Sequence, residues 1–191
     1  MINAYDFDET IYNGDSSVDF FMFCLKKNKK VLKQLPTQIR GLIKYKTKKI
    51  EKTEFKEYVF SFLTQLDDVD KYISEFWDTH YKNIKEWYFK QQEKTDVIIS
   101  ASPEFLLKPL EKNLNVKIIG SKVDKKTGKF EGKNCHDYEK IVRYEKELKK
   151  KNNIKRFYSD SIKADKPMFE YAEEAYLVKG NEIKKINIKE Y

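Results

Sequence analysis

The chain has few residues of the kinds that form covalent cross-links or zinc sites. Its two cysteines, Cys24 and Cys135, lie far apart and outside any CxxC pair, and it has two histidines. These residues predict neither a disulfide framework nor a zinc site. No apolar run approaches the roughly 18 residues of a membrane span. The N-terminal "MINAYDFDET" lacks the pattern of a signal peptide. We therefore expect a soluble, cytoplasmic protein without a membrane span.

Acidic residues are absent between Phe20 and Ile50, although the chain has 31 of them in total. Ten lysines and arginines lie in the same stretch, and the formal net charge of the chain is +8. Two interpretations stay open. The stretch is either a solvated helical face or an electropositive wall that steers phosphate-bearing ligands or contacts anionic lipid or nucleic acid.

Apolar segments alternate with helical patterns, and this alternation predicts an α/β fold with a Rossmann-like parallel sheet and helices on both faces. The predicted strands are Ile2–Phe7, Asp96–Ser100, Val116–Gly120, Ile154–Ser159 and Glu174–Val178. The predicted helices of the second half are Pro103–Leu114, Asp137–Lys150 and Pro167–Ala172. The segment "VDKKTGKFEG" predicts a small hairpin that turns at "TG".

The stretch between the first two predicted strands is too long for one crossover. Apolar residues recur there at helical spacing, and they include Phe55, Val59, Phe62, Leu63, Leu66, Val69, Tyr72, Ile73, Phe76 and Trp77. We interpret these residues as the core of a helical bundle rather than as a cofactor site. The prediction is therefore an α/β core domain of residues 1–14 and 93–191, with residues 15–92 as an inserted helical cap.

Polar clusters follow the ends of the predicted strands, in "DFDET", "ISASP" and "YSDSIKAD". Ligands of open parallel sheets bind outside the carboxyl ends of the strands. Asp6, Asp8 and Asp160 would gather several negative charges there, which requires a cation. A ligand set of oxygen atoms alone favours Mg²⁺, whose shell a phosphoryl substrate would complete. Asp6 could then attack phosphorus as a nucleophile while Asp8 moves protons.

Two further segments are candidates for binding the phosphoryl group. Ser100 ends its strand, and Ser102 with Pro103 is typical of a helix start, so a hydroxyl and backbone N–H groups could cradle phosphate. A plain capped helix is the alternative. Lys140, otherwise an ordinary surface lysine, could reach the strand edge and neutralise an aspartyl-phosphate. Asp165 could hold that lysine or a magnesium-bound water.

Together these segments resemble the haloacid dehalogenase superfamily of hydrolases. "DFDET" matches its first motif, DxDx[TV], and "SDSIKAD" resembles its acidic fourth motif, GDxxxxD. The resemblance implies that Asp6 and Asp8 are catalytic and that Ser100, Ala101 and Lys140 bind phosphate. It implies a Mg²⁺ site formed by Asp6, Asp160 and the carbonyl oxygen of Asp8. It also implies supporting roles for Asp165 and Thr10. The helical insertion after the first motif is similar to the type C1 cap of the phosphoserine-phosphatase-like group. The second aspartate of the first motif favours a phosphatase over a dehalogenase.

The sequence also departs from the family pattern. Ser159 stands where a glycine is usual beside the metal aspartate. Ala101 and Ser102 replace the Gly-Gly pair of phosphoserine phosphatases, which argues against phosphoserine as the substrate. Asp15 matches a cap-hinge glutamate that contacts substrate, while the following "SSVD" equally predicts a capping box. Arg40, the only arginine of the cap, is a candidate for gripping a substrate carboxylate or a second phosphate.

The resulting functional hypothesis is a Mg²⁺-dependent phosphatase that acts on a small phosphorylated metabolite. One alternative is a phospholipid or polyol head-group phosphatase, and another is a non-catalytic polyanion-binding protein on the same scaffold. No nucleic-acid-binding signature accompanies the acidic set, so we expect no nucleic-acid partner. Weak contact with a membrane surface is compatible with the basic stretch, and the oligomeric state stays open.

Overall fold

A computed structural model of the protein describes residues 1–149, 151 and 153–191. Six strands form one sheet in the order β3-β2-β1-β4-β5-β6. They are β1 (Ile2–Tyr5), β2 (Val97–Pro103), β3 (Lys117–Ser121), β4 (Ile154–Ser159), β5 (Glu174–Lys179) and β6 (Glu182–Ile186). The first five strands pair in parallel, and β6 runs antiparallel to β5. The predicted α/β fold with a parallel sheet is confirmed.

The central strand β1 is buried along its whole length, as expected for a strand covered on both faces. It ends at Tyr5, earlier than predicted, because the chain turns at Phe7, whose carbonyl oxygen accepts hydrogen bonds from Ile11 and Tyr12. Gly14 continues this turn at a φ of 116°, a conformation that favours glycine. The acidic motif therefore lies in a tight loop at the carboxyl end of β1.

Helices occupy the stretch between β1 and β2. They are α1 (Ser16–Lys27), α2 (Leu35–Lys46), α3 (Lys52–Phe60), α4 (Val69–His80) and α5 (Glu86–Gln91), with 3₁₀ turns at Lys29–Gln34, Ser61–Gln65 and Tyr81–Asn83. Asp68 caps α4 as predicted, whereas Thr53, also considered as a cap, lies inside α3. The helical character of this stretch agrees with the sequence pattern, and its assignment as a separate cap domain stays a prediction.

The second half contains α6 (Glu104–Leu107), α7 (Leu110–Leu114), α8 (Tyr138–Leu148) and α9 (Ile162–Tyr171). One predicted helix is thus two short ones, separated at Lys108 and Pro109, because proline has no N–H group to continue the helical hydrogen bonds. The predicted end of α8 at Lys150 lies outside the described residues. Helix α9 begins earlier than predicted and kinks at Asp165. The predicted hairpin reduces to a single bridge between Val123 and Phe130.

Buried apolar residues form two clusters. One joins the sheet to the helices of residues 16–91 and includes Phe7, Phe20, Phe76 and Trp77. The other packs α8 and α9 against the sheet and includes Ile141 and Phe169. Among the described residues, no helix is both long enough and apolar enough to cross a membrane. The carboxyl ends of β1, β2 and β4 open between these layers.

Candidate active site

A cavity of about 440 Å³ lies at the carboxyl ends of β1, β2 and β4, where an open parallel sheet places its ligands. Most of the predicted site residues line it, namely Asp6, Asp8, Asp15, Ser100, Ala101, Lys140, Asp160 and Asp165. Residues that are far apart in the sequence are thus brought to one edge of the sheet. Thr10 is buried outside the cavity lining and contacts Asp160, whereas Arg40 is exposed on α2 and outside the cavity lining.

Lys140 is buried between two carboxylates. Its Nζ lies 2.9 Å from Oδ1 of Asp6 and 2.7 Å from Oδ1 of Asp165, and the lysine side chain is 2% exposed. A buried lysine is costly unless it is paired. Attraction to both acids outweighs the desolvation that opposes it, so the pKa of Lys140 lies above its usual value. The lysine is therefore a fixed positive charge beside Asp6.

Asp8 is held by hydrogen bonds from two directions. The backbone N–H of Ser16 donates to Oδ1 at 2.7 Å, and the hydroxyl of Ser102 donates to Oδ2. Burial raises the pKa of Asp8 to about 6, with repulsion from Asp15 adding to the effect and the hydrogen bonds from Ser102 and Ser16 opposing it. A carboxyl group whose pKa is near neutrality is suited to giving and taking protons.

Hydroxyl groups position the two acids that follow β4. The backbone N–H of Asp160 donates to Oγ1 of Thr10 at 2.9 Å, which ties the first and fourth motifs together. The hydroxyl of Ser159 donates to Oδ2 of Asp165 at 2.7 Å. Ser159, which replaces the glycine usual at this position, therefore orients the acid that holds Lys140.

The loop after β2 differs from the sequence prediction. Ser102 and Pro103 belong to the strand, and α6 begins at Glu104 with Pro103 in an extended conformation. The prediction that Ser102 caps this helix is therefore wrong, since its hydroxyl contacts Asp8 instead. Ser100 is buried, and its Oγ accepts a hydrogen bond from the backbone N–H of Ser102 at 3.1 Å.

Three basic residues of the cavity were missed by the sequence prediction: Lys52, Lys56 and His136. Nζ of Lys56 donates to the carbonyl oxygen of Ala101 at 2.9 Å and to Oδ1 of Asn134 at 3.2 Å. Burial and the charge of Lys52 lower the pKa of Lys56 to about 8. The only signal in the sequence is the i,i+4 spacing of the two lysines on α3, which is not distinctive in a lysine-rich chain.

The apolar part of the cavity comes from the helical stretch. It is formed by Val18 and Phe21 of α1 and by Phe55, Val59 and Phe60 of α3. Asp15 caps α1, because its Oδ1 accepts hydrogen bonds from the N–H groups of Ser17 and Val18. The carboxylate of Asp19 accepts a hydrogen bond from the hydroxyl of Tyr12, so the predicted reciprocal capping box does not form. Asp15 therefore combines a capping role with a place at the cavity.

The oxygen atoms of the cavity suit a hard cation. The carboxylates of Asp6 and Asp160 both line it, and no nitrogen or sulfur ligand accompanies them in the predicted set. Among the described residues, no three Asp, Glu, His or Cys side chains lie close enough to bind a metal by themselves. The predicted metal site needs only two such side chains, those of Asp6 and Asp160, because its third ligand is the backbone carbonyl of Asp8. The donors present therefore fit Mg²⁺ that also binds substrate oxygens.

Comparisons with known proteins place these features in context. A family model for haloacid dehalogenase-like hydrolases matches residues 4–170. No curated protein matches the chain.

Solved structures share the fold at low sequence identity. A protein of unknown function from Bordetella pertussis Tohama I is 17% identical, with a TM-score of 0.70 over 91% of this chain and 87% of its own. A phosphoserine phosphohydrolase-like protein from Francisella tularensis is 16% identical, with a TM-score of 0.52 over 92% and 86% of the two chains. A HAD family hydrolase from Salmonella enterica serovar Typhi is 14% identical, with a TM-score of 0.55 over 90% and 60%.

Proposed function

Because this chain belongs to the haloacid dehalogenase-like hydrolase family, we propose that it is a Mg²⁺-dependent phosphatase that cleaves phosphate monoesters through an aspartyl-phosphate. The observation that carries this proposal is the pairing of Asp6 with the buried ammonium group of Lys140, next to an Asp8 side chain with a raised pKa. Burial raises the pKa of both carboxyl groups, and the ammonium group of Lys140 opposes that rise at Asp6. Asp6 is thus placed beside a positive charge, and Asp8 is suited to proton transfer.

Each step has a residue of this chain to perform it. Lys140 occupies Oδ1 of Asp6, and the second carboxylate oxygen, Oδ2, is the candidate nucleophile toward phosphorus. Asp8 protonates the leaving oxygen as its bond to phosphorus breaks. Asp8 then takes a proton from water, whose oxygen attacks phosphorus and releases Asp6 and inorganic phosphate. Ser100 and the N–H groups of its loop are candidates for holding the phosphoryl oxygens.

Mg²⁺ would be held by Asp6, Asp160 and the carbonyl of Asp8. When bound, it would neutralise the charge shared by these carboxylates and the phosphoryl oxygens, and so favour the ionised form of Asp6. Thr10 supports this arrangement through its hydrogen bond with the N–H of Asp160. Asp165 keeps Lys140 in place from the opposite side.

A small phosphorylated metabolite is the substrate that the cavity supports best. Its volume of about 440 Å³ suits a small molecule. Lys52 and Lys56 add positive charge around the cavity, which favours a substrate with a second acidic group. These residues replace Arg40 as our candidates for that contact, because Arg40 lies outside the cavity lining.

A phospholipid or polyol head-group phosphate is the second candidate. The observation in its favour is the apolar wall contributed by α1 and α3, whose members are Val18, Phe21, Phe55, Val59 and Phe60. A small polar ester offers little apolar surface for this wall to bury. The glyceryl or acyl part of a lipid offers more. A panel of phosphate esters that includes both classes distinguishes the two candidates.

The proposed activity is tested with Asp6→Asn. We expect the wild-type protein to hydrolyse p-nitrophenyl phosphate and members of the ester panel with Mg²⁺, and to lose this activity in EDTA. Asp6→Asn should reduce turnover to background, because it removes the nucleophile. The loss relative to the wild-type kcat should be on the order of a millionfold. Phosphate release is measured for both proteins.

The matched control is Asp78→Asn, which makes the same chemical change on the exposed face of α4. It should retain wild-type turnover, and circular dichroism checks that both variants are folded. Turnover that survives Asp6→Asn, or that needs no divalent cation, contradicts the proposal.

A further inference from the structure

Helix α2 exposes its aliphatic side chains to solvent. Leu35, Ile39, Leu42 and Ile43 are 37%, 55%, 39% and 58% exposed. Their spacing of three, four and seven residues puts them on one side of the helix, and we call this set the α2 aliphatic face. A helix of a folded domain ordinarily buries its apolar stripe. This one displays it.

The other side of α2 fixes this orientation. Gly41 lies against Tyr58, where an added Cβ would come within 2.3 Å of the tyrosine Cβ, so only glycine permits the close approach to α3. Nε2 of Gln38 donates to the carbonyl oxygen of Val59 at 2.8 Å. Tyr45 stacks on Phe55, with ring centroids 4.8 Å apart. The contacts with α3 thus come from glycine, amide and aromatic groups, and Ile39 and Ile43 of the aliphatic face stay more than half exposed.

The charge around the α2 aliphatic face selects the kind of partner. Arg40 and Lys46 are exposed on the same helix, whereas Lys44 donates to the hydroxyl of Tyr58 on α3. No acidic residue occurs between Phe20 and Ile50. A second copy of the chain bound symmetrically would bring the same positive groups together, which is unfavourable. Single-stranded nucleic acid would be held by aromatic stacking, which four aliphatic side chains do not provide. Aliphatic groups bordered by lysine and arginine match a bilayer surface that carries anionic headgroups.

We propose that the α2 aliphatic face docks this protein on the surface of an anionic phospholipid bilayer. The aliphatic side chains would enter the boundary between headgroups and acyl chains, while the basic side chains pair with lipid phosphates. Helix α3, against which α2 packs, carries Lys52, Lys56 and Phe55 of the cavity. Docking would therefore hold the cavity close to the membrane. The proposal does not depend on catalysis or on the identity of the substrate.

Vesicle co-sedimentation tests the proposal with the full-length protein. We expect the wild type to bind vesicles of equimolar phosphatidylglycerol and phosphatidylcholine, and to bind pure phosphatidylcholine much more weakly. The double variant Ile39→Gln with Ile43→Gln should bind the anionic vesicles at least about tenfold more weakly, because it removes two membrane-facing apolar groups. Arg40→Gln should weaken binding about fivefold, and added salt should weaken the wild type.

Two controls make comparable chemical changes elsewhere. Val142→Gln alters an aliphatic side chain that is 43% exposed on α8, and Lys112→Gln removes an exposed charge from α7. Both should bind as the wild type does, and thermal unfolding checks that every variant is folded. Equal binding by the Ile39 and Ile43 variant overturns the proposal. A wild-type protein that does not bind anionic vesicles also overturns it. This includes the outcome in which analytical sedimentation shows that the wild type is a dimer and that the Ile39 and Ile43 variant dissociates it.

Discussion

Lys56 shows how a single side chain can connect the helical stretch to the phosphate-binding loop. It belongs to α3, yet its Nζ donates to the carbonyl oxygen of Ala101, directly after Ser100. The hydroxyl of Ser121 lies 3.0 Å from the same carbonyl oxygen and 2.9 Å from Oδ1 of Asn134, the second acceptor of Lys56, and it has one hydrogen to donate between them. The loop is thus contacted from two elements, α3 through Lys56 and β3 through Ser121. We infer that Lys56 positions the loop for the phosphoryl group.

Lys56→Met should therefore lower kcat/KM by about tenfold to a hundredfold, because a loop that is misplaced by about an ångström costs that much. The effect should also depend on pH. Since the pKa of Lys56 is lowered to about 8, its positive charge is present below that pH and lost above it. We expect the wild-type kcat/KM to fall as pH rises through about 8, and the variant to lack this decline. Steady-state kinetics with p-nitrophenyl phosphate across this range provides the measurement.

The control for this substitution is Lys49→Met, since Lys49 is exposed in the connection between α2 and α3. Its kinetics should match those of the wild type. A pH profile of Lys56→Met that keeps the decline near pH 8 would assign that decline to another group.

At the scale of the elements, the sequence predicted best the strands with continuous apolar runs. Such runs identified β1 to β5, of which β5 is only partly buried, and the carboxyl ends of these strands located the candidate site at one edge of the sheet. Strand β6 was missed because "EIKKI" is charged and exposed, with a hydrophobic pattern too weak to indicate a strand. The contacts of Ser102 and Lys56 were missed for another reason. Both depend on which elements meet in three dimensions, and local spacing does not report that.

Glu174 links β6 to the rest of the sheet. Its carboxylate accepts hydrogen bonds from Arg156 of β4 at 2.9 Å, from Tyr176 of β5 at 3.1 Å and from Lys185 of β6. The hydrogen bonds from Lys185 and Arg156 lower the pKa of Glu174 from 4.5 to about 2. An acid whose pKa is lower in the folded state stabilises the fold above its unfolded pKa. That stabilisation is lost as pH falls from about 4.5 to about 2.

Glu174→Gln should consequently lower the melting temperature at pH 7 by on the order of 2 °C, since the ion pairs lie at the surface. The difference from the wild type should shrink at pH 3, because the carboxylate of the unfolded chain is then largely protonated. Thermal unfolding at both values provides the measurement. Glu182→Gln, at an exposed position of β6, is the control and should show little change. A difference that is the same at both pH values would exclude the ionised carboxylate as the cause.

At the scale of the whole molecule, the sheet and the helices that follow β1 share one buried apolar cluster. It contains Phe7 beside β1, Trp77 of α4 and Leu106 of α6. The Trp77 ring packs edge-on against Phe7, with centroids 6.1 Å apart. Its Nε1 donates to the carbonyl oxygen of Leu106 at 2.7 Å. We therefore expect the proposed cap and core to unfold together, although their motifs are separate in the sequence.

The two tryptophans offer a matched test of this expectation. Trp77→Phe removes the hydrogen bond to Leu106 and part of a buried ring, so the free energy of unfolding should fall by about 1–3 kcal/mol. Trp87→Phe should cost less, because Nε1 of Trp87 is buried without a hydrogen-bond partner among the described residues. Urea unfolding is followed by far-UV circular dichroism and by the fluorescence of the remaining tryptophan.

The agreement between these two signals decides the question of cooperativity. If the helices and the sheet share one core, both signals should move together to a lower urea midpoint in Trp77→Phe, because a contact at their junction stabilises the whole molecule. Both tryptophans lie in the helical stretch, so their fluorescence would report its separate unfolding. A fluorescence change that precedes the loss of secondary structure would instead establish that residues 15–92 form an independently unfolding cap.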